Sequence, residues 1–361
     1  MDLRPSSSHI WTKCAAMPLM SSRVPPGDVG DPAREGTCAA WVAEMVLTGA
    51  VSTAADMVGQ SHENGWLVEP DMAQHIQKYV DRVRSYGGEI HTERKVRLNQ
   101  HIAGTPDAFA VLGSDHVLIV DDLKYGFGLV EPYQNPQVCI YAGAILRMLT
   151  ARGVRVDRVV IGIYQPRAWS PAGIHRIWSC YPEELMSFVK TIEEAGNAAQ
   201  NPNAPATPGA HCEYCDAAAT CAANAAENYR VYERNASQQQ RHMTVEELAK
   251  ELDFLEMASD MLKGRKSAVE AEAAARMKRA ETIPGWHMEQ RAGQRRFTVP
   301  AATVRALTGL DPEVSKMVTP AELERMGASD AVVARITETP RTAPRLKKVA
   351  PGYYANLFKQ R

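Results

Sequence analysis

The segment "IVDDLKYGFG" at residues 119–128 sets Asp121, Asp122 and Lys124 directly after a run of apolar residues. In an extended strand, residues i and i+2 point the same way. Asp122 and Lys124 therefore share a face and Asp121 takes the other. Asp107 lies in the preceding strand-like segment, "AGTPDAFAVLG", and Glu93 in a third, "EIHTERKVRL". Pairing of the two nearer segments across a turn at Gly113–Ser114–Asp115 brings Asp107 to Asp122, and Glu93 can join them. Two or three carboxylates and one lysine on an open sheet edge suit phosphate chemistry. Mg²⁺ or Mn²⁺ takes hard oxygen ligands and keeps several waters. Held against a phosphate, such an ion polarises the phosphoryl oxygen and lowers the pKa of attacking water. A lysine beside it neutralises charge at the phosphorus. Asp107 and Asp122 are the expected metal ligands, the main-chain carbonyl of Leu123 a further oxygen, and Glu93 a weaker ligand or a water-positioning group. A charged face on an edge strand would explain Asp-x-Lys by itself. The apolar run before it and the aspartate-bearing strand upstream favour a site.

The elements that must position these residues follow from periodicity. Cys38, Trp41, Val42, Met45 and Val46 recur at helical spacing between Glu35 and Thr48, after a Pro- and Gly-punctuated loop at 21–34. Residues 71–86 predict a second helix, with Asp71 near its start and Gly87–Gly88 ending it. Three strands follow, then a helix over "NPQVCIYAGAILRML" with Pro136 at an early position. A strand, "VDRVVIGIYQP", and a helix, "YPEELMSFVKTIEEAGNAAQ", complete the run. This order predicts an α/β fold: a mixed β-sheet flanked by helices, with an antiparallel start and a crossover.

The chain has 361 residues and a net charge of −1 from 41 basic and 42 acidic side chains, so it has no global field to attract a polyanion. Any DNA contact must come from local patches. The N-terminus lacks the apolar stretch of a secretory signal, and no run reaches the 18 or more apolar residues of a membrane span. The expectation is a cytoplasmic protein with no membrane partner.

Seven cysteines at uneven spacing do not form a disulfide framework. Cys212, Cys215 and Cys221 form C-x₂-C-x₅-C after the Pro-rich link "NPNAPATPGA", a pattern of metal-bound thiols. Zinc or an iron–sulfur cubane needs a fourth ligand. His211 is near in sequence, but Cys14, on an N-terminal segment able to pack beside the cluster, is the better candidate. Cys38, Cys139 and Cys180 sit in apolar settings and read as small buried hydrophobes.

"GTPDAF", "IVDDLKYG" and "QVCIY", in that order, resemble the PD-(D/E)xK nuclease superfamily, in particular its RecB/Cas4-like branch, which includes phage recombination exonucleases. The resemblance spans residues 1 to about 230 and implies a restriction-endonuclease-like core. It places Asp107 on the first metal aspartate, Asp122 and Lys124 on the acidic residue and lysine, and Gln137 and Tyr141 on the QxxxY element of the next helix. That element lies close to the active site and contacts DNA or supports the lysine. Helical spacing sets Gln137 and Tyr141 on one face, as the role requires. The same branch holds a 4Fe–4S cluster with one N-terminal and three later cysteines, which implies Cys14, Cys212, Cys215 and Cys221 here; zinc is the alternative. One departure stands out. Relatives carry a histidine in an "EGTxxH" pattern where this chain reads "EGTCAAWVAE", with Ala40 at that place and Glu35 and Glu44 nearby as possible substitutes. Later segments are similar to prophage proteins of the DUF2800 type, among them "VTPAELERMG".

The resemblance implies a Mg²⁺- or Mn²⁺-dependent DNA exonuclease in phage recombination or DNA processing, encoded by a phage or prophage. An endonuclease, or a catalytically weak DNA-binding subunit, is the alternative. A single-strand annealing protein is an implied partner, and a homo-oligomer a further one. Residues 1–235 read as the nuclease domain and 236–361 as a helical accessory region with a basic tail. Thr244 and Glu247 fit a capping box for a long helix to about Arg279, and Thr319, Pro320 and Glu322 repeat that logic. Lys263, Arg265, Lys266, Arg276, Lys278 and Arg279, followed by Arg291, Arg295 and Arg296, form a basic series able to meet phosphates. The intervening acids Glu270, Glu272 and Glu281 allow a plain solvated face instead. Trp286, behind Pro284–Gly285, reads as loop packing.

Overall fold

The computed structural model describes residues 1–25, 30–236 and 243–286. All of them belong to one compact unit, Met1–Met288. Arg291, Arg295, Arg296, the Thr319–Glu322 helix start and the basic tail lie outside the described residues.

Two short helices, α1 (Ser8–Trp11) and α2 (Met17–Ser21), carry the N-terminal segment. Helix α3 (Asp31–Leu47) starts earlier than its apolar spacing indicates, because Gly30 and an N-terminal proline already set its first turn. Helix α4 (Pro70–Arg84) buries Ile76, Tyr79, Val80 and Val83. That i, i+3, i+4, i+7 stripe contributes about 1.5–3 kcal/mol per aliphatic side chain. Gly87 and Gly88, both at positive φ, turn the chain out of it.

The sheet runs β1 (Glu89–Thr92), β4 (Ala108–Leu112), β5 (Val117–Leu123), β6 (Arg158–Tyr164), β7 (His175–Cys180) in that spatial order. Between β1 and β4, a separate two-stranded pair forms from β2 (Val96–Arg97) and β3 (Ala103–Gly104). Only β5 and β6 are parallel, and helix α5 (Pro136–Ala151) crosses over between them. The mixed sheet with flanking helices agrees with the expected fold class. Helices α6 (Pro182–Ala198), α7 (Ala222–Ala236) and α8 (Val245–Lys278) follow. The capping box of α8 forms as the sequence indicates: Glu247 N donates to Thr244 Oγ1 at 3.2 Å and Thr244 N to Glu247 Oε2 at 3.0 Å. Among the described residues no helix is long and apolar enough to cross a membrane.

Two segments read as single strands are each broken. "EIHTERKVRL" leaves the sheet at Glu93, a non-glycine residue at φ 47°. "AGTPDAFAVLG" divides around Thr105–Asp107, where Pro106 has no N–H for a ladder. Strand β7, with mixed burial, and helix α7, whose apolar content is mostly alanine, carry little periodic signal and were not expected.

One core layer lies between the sheet and α5, α6 and the N-terminal segment, with Leu118, Val120, Ile140, Ile145 and Trp11 inside it. The other lies between the sheet and α3 and α4, with Val42, Ile76, Tyr79 and Leu123. Asp121 points into this second side, 1% exposed. Its carboxylate accepts from Tyr86 Oη and meets His175 Nε2 at 3.1 Å. Gly162 on β6 leaves the room: a Cβ there would lie 1.7 Å from Asp121 Oδ1 and 2.7 Å from His175 Nε2. Gly162→Ala therefore expels a buried, bonded carboxylate. The expected cost is about 3 kcal/mol, read as a lower urea midpoint at unchanged slope. An unchanged midpoint would show that the carboxylate finds another seat.

Candidate active site

Strand pairing brings the site together. Ala108 stands opposite Asp121 in the β4–β5 ladder, so the residues just beyond, Asp107 and Asp122, meet at its open end. Asp107 Oδ2 accepts from Leu123 N at 2.7 Å, which fixes its carboxyl across the strand end. Asp122, 2% exposed, pairs with Lys124 Nζ at 2.8 Å. Alternation thus separates the two aspartates as expected: Asp121 to the α3–α4 side, Asp122 toward α5.

Helix α5 aims its first turn at this end because Asn135 caps it, accepting from Gln137 N at 3.1 Å and Val138 N at 3.4 Å. Gln137 then reaches the site with both ends of its amide. Its Oε1 accepts from Lys124 Nζ at 2.9 Å, and its Nε2 donates to Asp122 Oδ1 at 3.2 Å and to Tyr141 Oη at 3.4 Å. Tyr141 is 5% exposed. Its ring packs so closely on Gly104 that a Cβ there would come within 2.9 Å of Cε1. The glycine of "GTPD" is therefore a close-approach residue.

Glu93 is joined through the backbone, its N–H donating to Asp107 O at 3.4 Å. Its left-handed backbone is a conformation that needs support from its surroundings. Burial, and then the charge of Glu44 on α3, push its carboxyl up to about 7. Glu44 is accordingly a further acidic neighbour of the site. Glu35 is not: its carboxylate is taken by Arg167. Burial, and then the charge of Asp122, push Asp107 up to about 8, against the opposing pull of Lys124 and the Leu123 amide. Burial alone would lower Lys124, but the Asp122 charge and hydrogen bond outweigh it and the net direction is up, so the ammonium stays charged.

Asp122, Lys124, Gln137 and Tyr141 thus share one hydrogen-bonded cluster, and Asp107 stands beside it, held by the Leu123 amide. Asp122 is buried and Asp107 partly so, and a bound cation would relieve the repulsion between them. Hard oxygen donors of this kind suit Mg²⁺ or Mn²⁺. Among the described residues, no group of three or more His, Cys, Asp or Glu side chains is gathered as a metal site in its own right.

Cys14, Cys212, Cys215 and Cys221 line one cavity between the N-terminal segment and the start of α7, with Ile10, Met17 and His211. Three of the thiols accept backbone N–H bonds at 3.4 Å: Cys14 from Thr207, Cys212 from Gly209 and Cys221 from Asn224. Such donors favour negative charge on sulfur, against burial, which pushes the Cys212 and Cys215 thiols up. Four thiols on one cavity are the donor types of a thiolate-bound metal group, but they are not drawn into a coordination shell. His211 bonds Thr207 O instead, at 2.9 Å. Cys38, Cys139 and Cys180 are buried, with 0%, 0% and 3% of their surface exposed.

The basic series on α8 is largely paired within its own helix. Lys263 meets Asp260, Lys266 meets Glu270 and Arg276 meets Glu272. Arg265 turns inward and donates to Ala218 O and Ala219 O in the cysteine loop. This matches the solvated-face reading for most of the series, with Arg265 as a structural tie. Trp286 is 66% exposed rather than packed.

Two solved structures are similar to this chain. One is an exonuclease-named protein from Eubacterium rectale, 10% identical, covering 68% of this chain and 92% of that one, with a TM-score of 0.34. The other is a phage-related exonuclease from Haemophilus somnus, 14% identical, covering 55% and 93%, with a TM-score of 0.22. Scores this low leave the site to be read from its own geometry. The sequence pattern of DUF2800, described as a protein of unknown function, matches residues 2–348. That match runs through the sheet, the acidic–lysine cluster and the cysteine loop alike, and the chain belongs to the DUF2800 family.

Proposed function

We propose that the chain is a Mg²⁺- or Mn²⁺-dependent DNA nuclease of the PD-(D/E)xK type that acts as an exonuclease. The observation that carries this reading is the closed bond triangle of Asp122, Lys124 and Gln137 at the end of the β4–β5 pair, with Asp107 fixed across that strand end by the Leu123 amide. A structural ion pair has no need of a second aspartate and a glutamine that holds both of its members. Asp107 and Asp122, with the carbonyl of Leu123, would hold the divalent cation. Such an ion would supply Lewis acidity for the scissile phosphate and for the attacking water.

The chain's own groups do the rest. Lys124 brings a fixed positive charge to the phosphorus, where negative charge grows. Gln137 keeps the ammonium from swinging away, and Tyr141 keeps Gln137 in place. Glu93, tied to Asp107 through its backbone N–H, would be a weaker ligand or help position the attacking water. Cys14, Cys212, Cys215 and Cys221 would hold a 4Fe–4S cluster that fastens the N-terminal segment to the chain after α6, with zinc as the alternative occupant.

Purified protein with Mg²⁺ or Mn²⁺ is expected to release nucleotides from linear DNA and to leave closed circular DNA intact. Nicking or linearisation of the circle would make it an endonuclease with the same chemistry. No cleavage of either substrate would sink the nuclease reading.

A further inference from the structure

The loop after Lys124, "YGFGLV", carries apolar groups into solvent: Phe127 is 69% exposed and Leu129 49%. The loop between β6 and β7 lies beside it and carries Trp169, 78% exposed. Exposed apolar groups gathered like this mark a contact surface. These loops are held firmly. Gln165, 0% exposed, donates Nε2 to Gly126 O at 2.9 Å and Gly128 O at 2.7 Å. Its Oε1 accepts from Val130 N at 3.1 Å and from Arg176 at 2.7 Å. Arg167 fills the space beneath. Its guanidinium carbon lies 4.0 Å from the Phe127 ring centroid and 4.8 Å from that of Tyr125, and Glu35 pairs with it.

Phe127 is therefore a ring backed by a cation on a rigid loop, with most of its surface open. It lies three positions after Lys124, so it stands no more than about 11 Å away along the chain. That is within a few nucleotides of a phosphate held at Lys124. At a net charge of −1 the chain has no global field to draw in a polyanion, and an aromatic face beside the site adds a base contact to the local charges that meet the phosphates. A paired base inside a duplex offers no face to a side chain, whereas an unpaired base does. We propose that Phe127, backed by Arg167, stacks an unpaired base, so that the strand entering the site is single-stranded there. This inference rests on the nuclease reading of Asp122 and Lys124.

The test is fluorescence anisotropy of labelled oligodeoxythymidine and of an abasic oligonucleotide of the same length. The full chain is used without added divalent cation, so the probe is not cut. Base–aromatic stacking sets the scale: Phe127→Ala is expected to weaken oligodeoxythymidine binding about 5- to 150-fold. Phe127→Trp is expected to retain wild-type affinity. The abasic strand should bind wild type and Phe127→Ala equally weakly. Unchanged oligodeoxythymidine affinity in Phe127→Ala, or an equal loss for both probes, overturns the proposal and leaves the patch to a protein partner. The readout needs no turnover. Absent cleavage with an intact Phe127 effect sinks the nuclease reading alone, and intact cleavage with no Phe127 effect sinks the stacking platform alone.

Discussion

Asp122→Ala is expected to lower the proposed metal-dependent DNA cleavage by at least about 10²- to 10³-fold, through loss of a metal-holding carboxylate, and Lys124→Ala by a similar factor, the scale of losing one preorganised group that stabilises transition-state charge. Both are expected to act on turnover rather than on DNA affinity: the charge that Lys124 answers develops only as the phosphate is attacked, and Asp122 would hold the ion that meets that charge. The double variant should be hardly worse than either single one. Lys124 pairs with Asp122 at 2.8 Å and Gln137 bonds both, so the groups work as a unit and their losses do not add. The neighbouring aspartate is the internal control. Asp121 lies on the other side of β5, bonded to Tyr86 and His175. Asp121→Asn should therefore cost stability and leave the turnover of the folded fraction near wild type. Steady-state cleavage rates set beside urea midpoints separate the two effects. Equal loss of turnover at Asp121 and Asp122 would mean that the strand end as a whole matters, not the face that Asp122 occupies.

That contrast between adjacent aspartates was legible in the sequence, because strand alternation is a local rule. Asp122 and Lys124 had to share a face, and a short turn between two apolar runs had to bring Asp107 across. The i, i+4 spacing of Gln137 and Tyr141 was local in the same sense. What the sequence hid depends on distant chain. Nothing near Asp121 announces Tyr86 or His175, which lie 35 and 54 residues away. Nothing in the charge run of α8 separates Arg265, tied to the cysteine loop, from the lysines paired along the helix. The breaks at Glu93 and around Pro106 had weak local signals, a proline and a polar run, and the strand pattern outweighed them. Glu44 could be placed in the sequence as a possible substitute for the missing histidine, but its proximity to Glu93 follows from how α3 packs on the sheet. Nothing in "YGFGLV" announces that Gln165 and Arg167, about 40 residues later, mount the Phe127 ring.

Loss of the metal group proposed for the four cysteines is expected to be the largest single blow to stability. Cys14 sits on a segment that supplies Leu3, Ile10 and Trp11 to the core, each 3% exposed or less. Leu3 bridges to Ile102, and Pro5 lies against Gly104, on which Tyr141 packs. Cys212, Cys215 and Cys221 come about 200 residues later, so a group bound by all four closes nearly the whole described unit. Metal binding of this kind is folding free energy in its own right, of order 10 kcal/mol for a structural site. Anaerobically purified protein is expected to contain iron and acid-labile sulfide in equal amounts, with visible absorbance; zinc without sulfide would select the alternative occupant. Cys215→Ser should lose most of that metal and unfold at a urea midpoint several kcal/mol lower in stability, consistent with loss of one ligand rather than of all binding. Cys139→Ser is the matched control. It lies buried on α5 away from the cavity, and its cost should be that of a core polar replacement, with the metal content unchanged. The order of failure then carries the argument to the active site. The cysteine-bound segment holds Pro5 against Gly104, and Gly104 seats the Tyr141 ring, so cleavage in Cys215→Ser should fall before the sheet unfolds. A Cys215→Ser protein with wild-type midpoint and metal content would remove the cluster from the account and leave Asp107, Asp122 and Lys124 to be judged by their own variants.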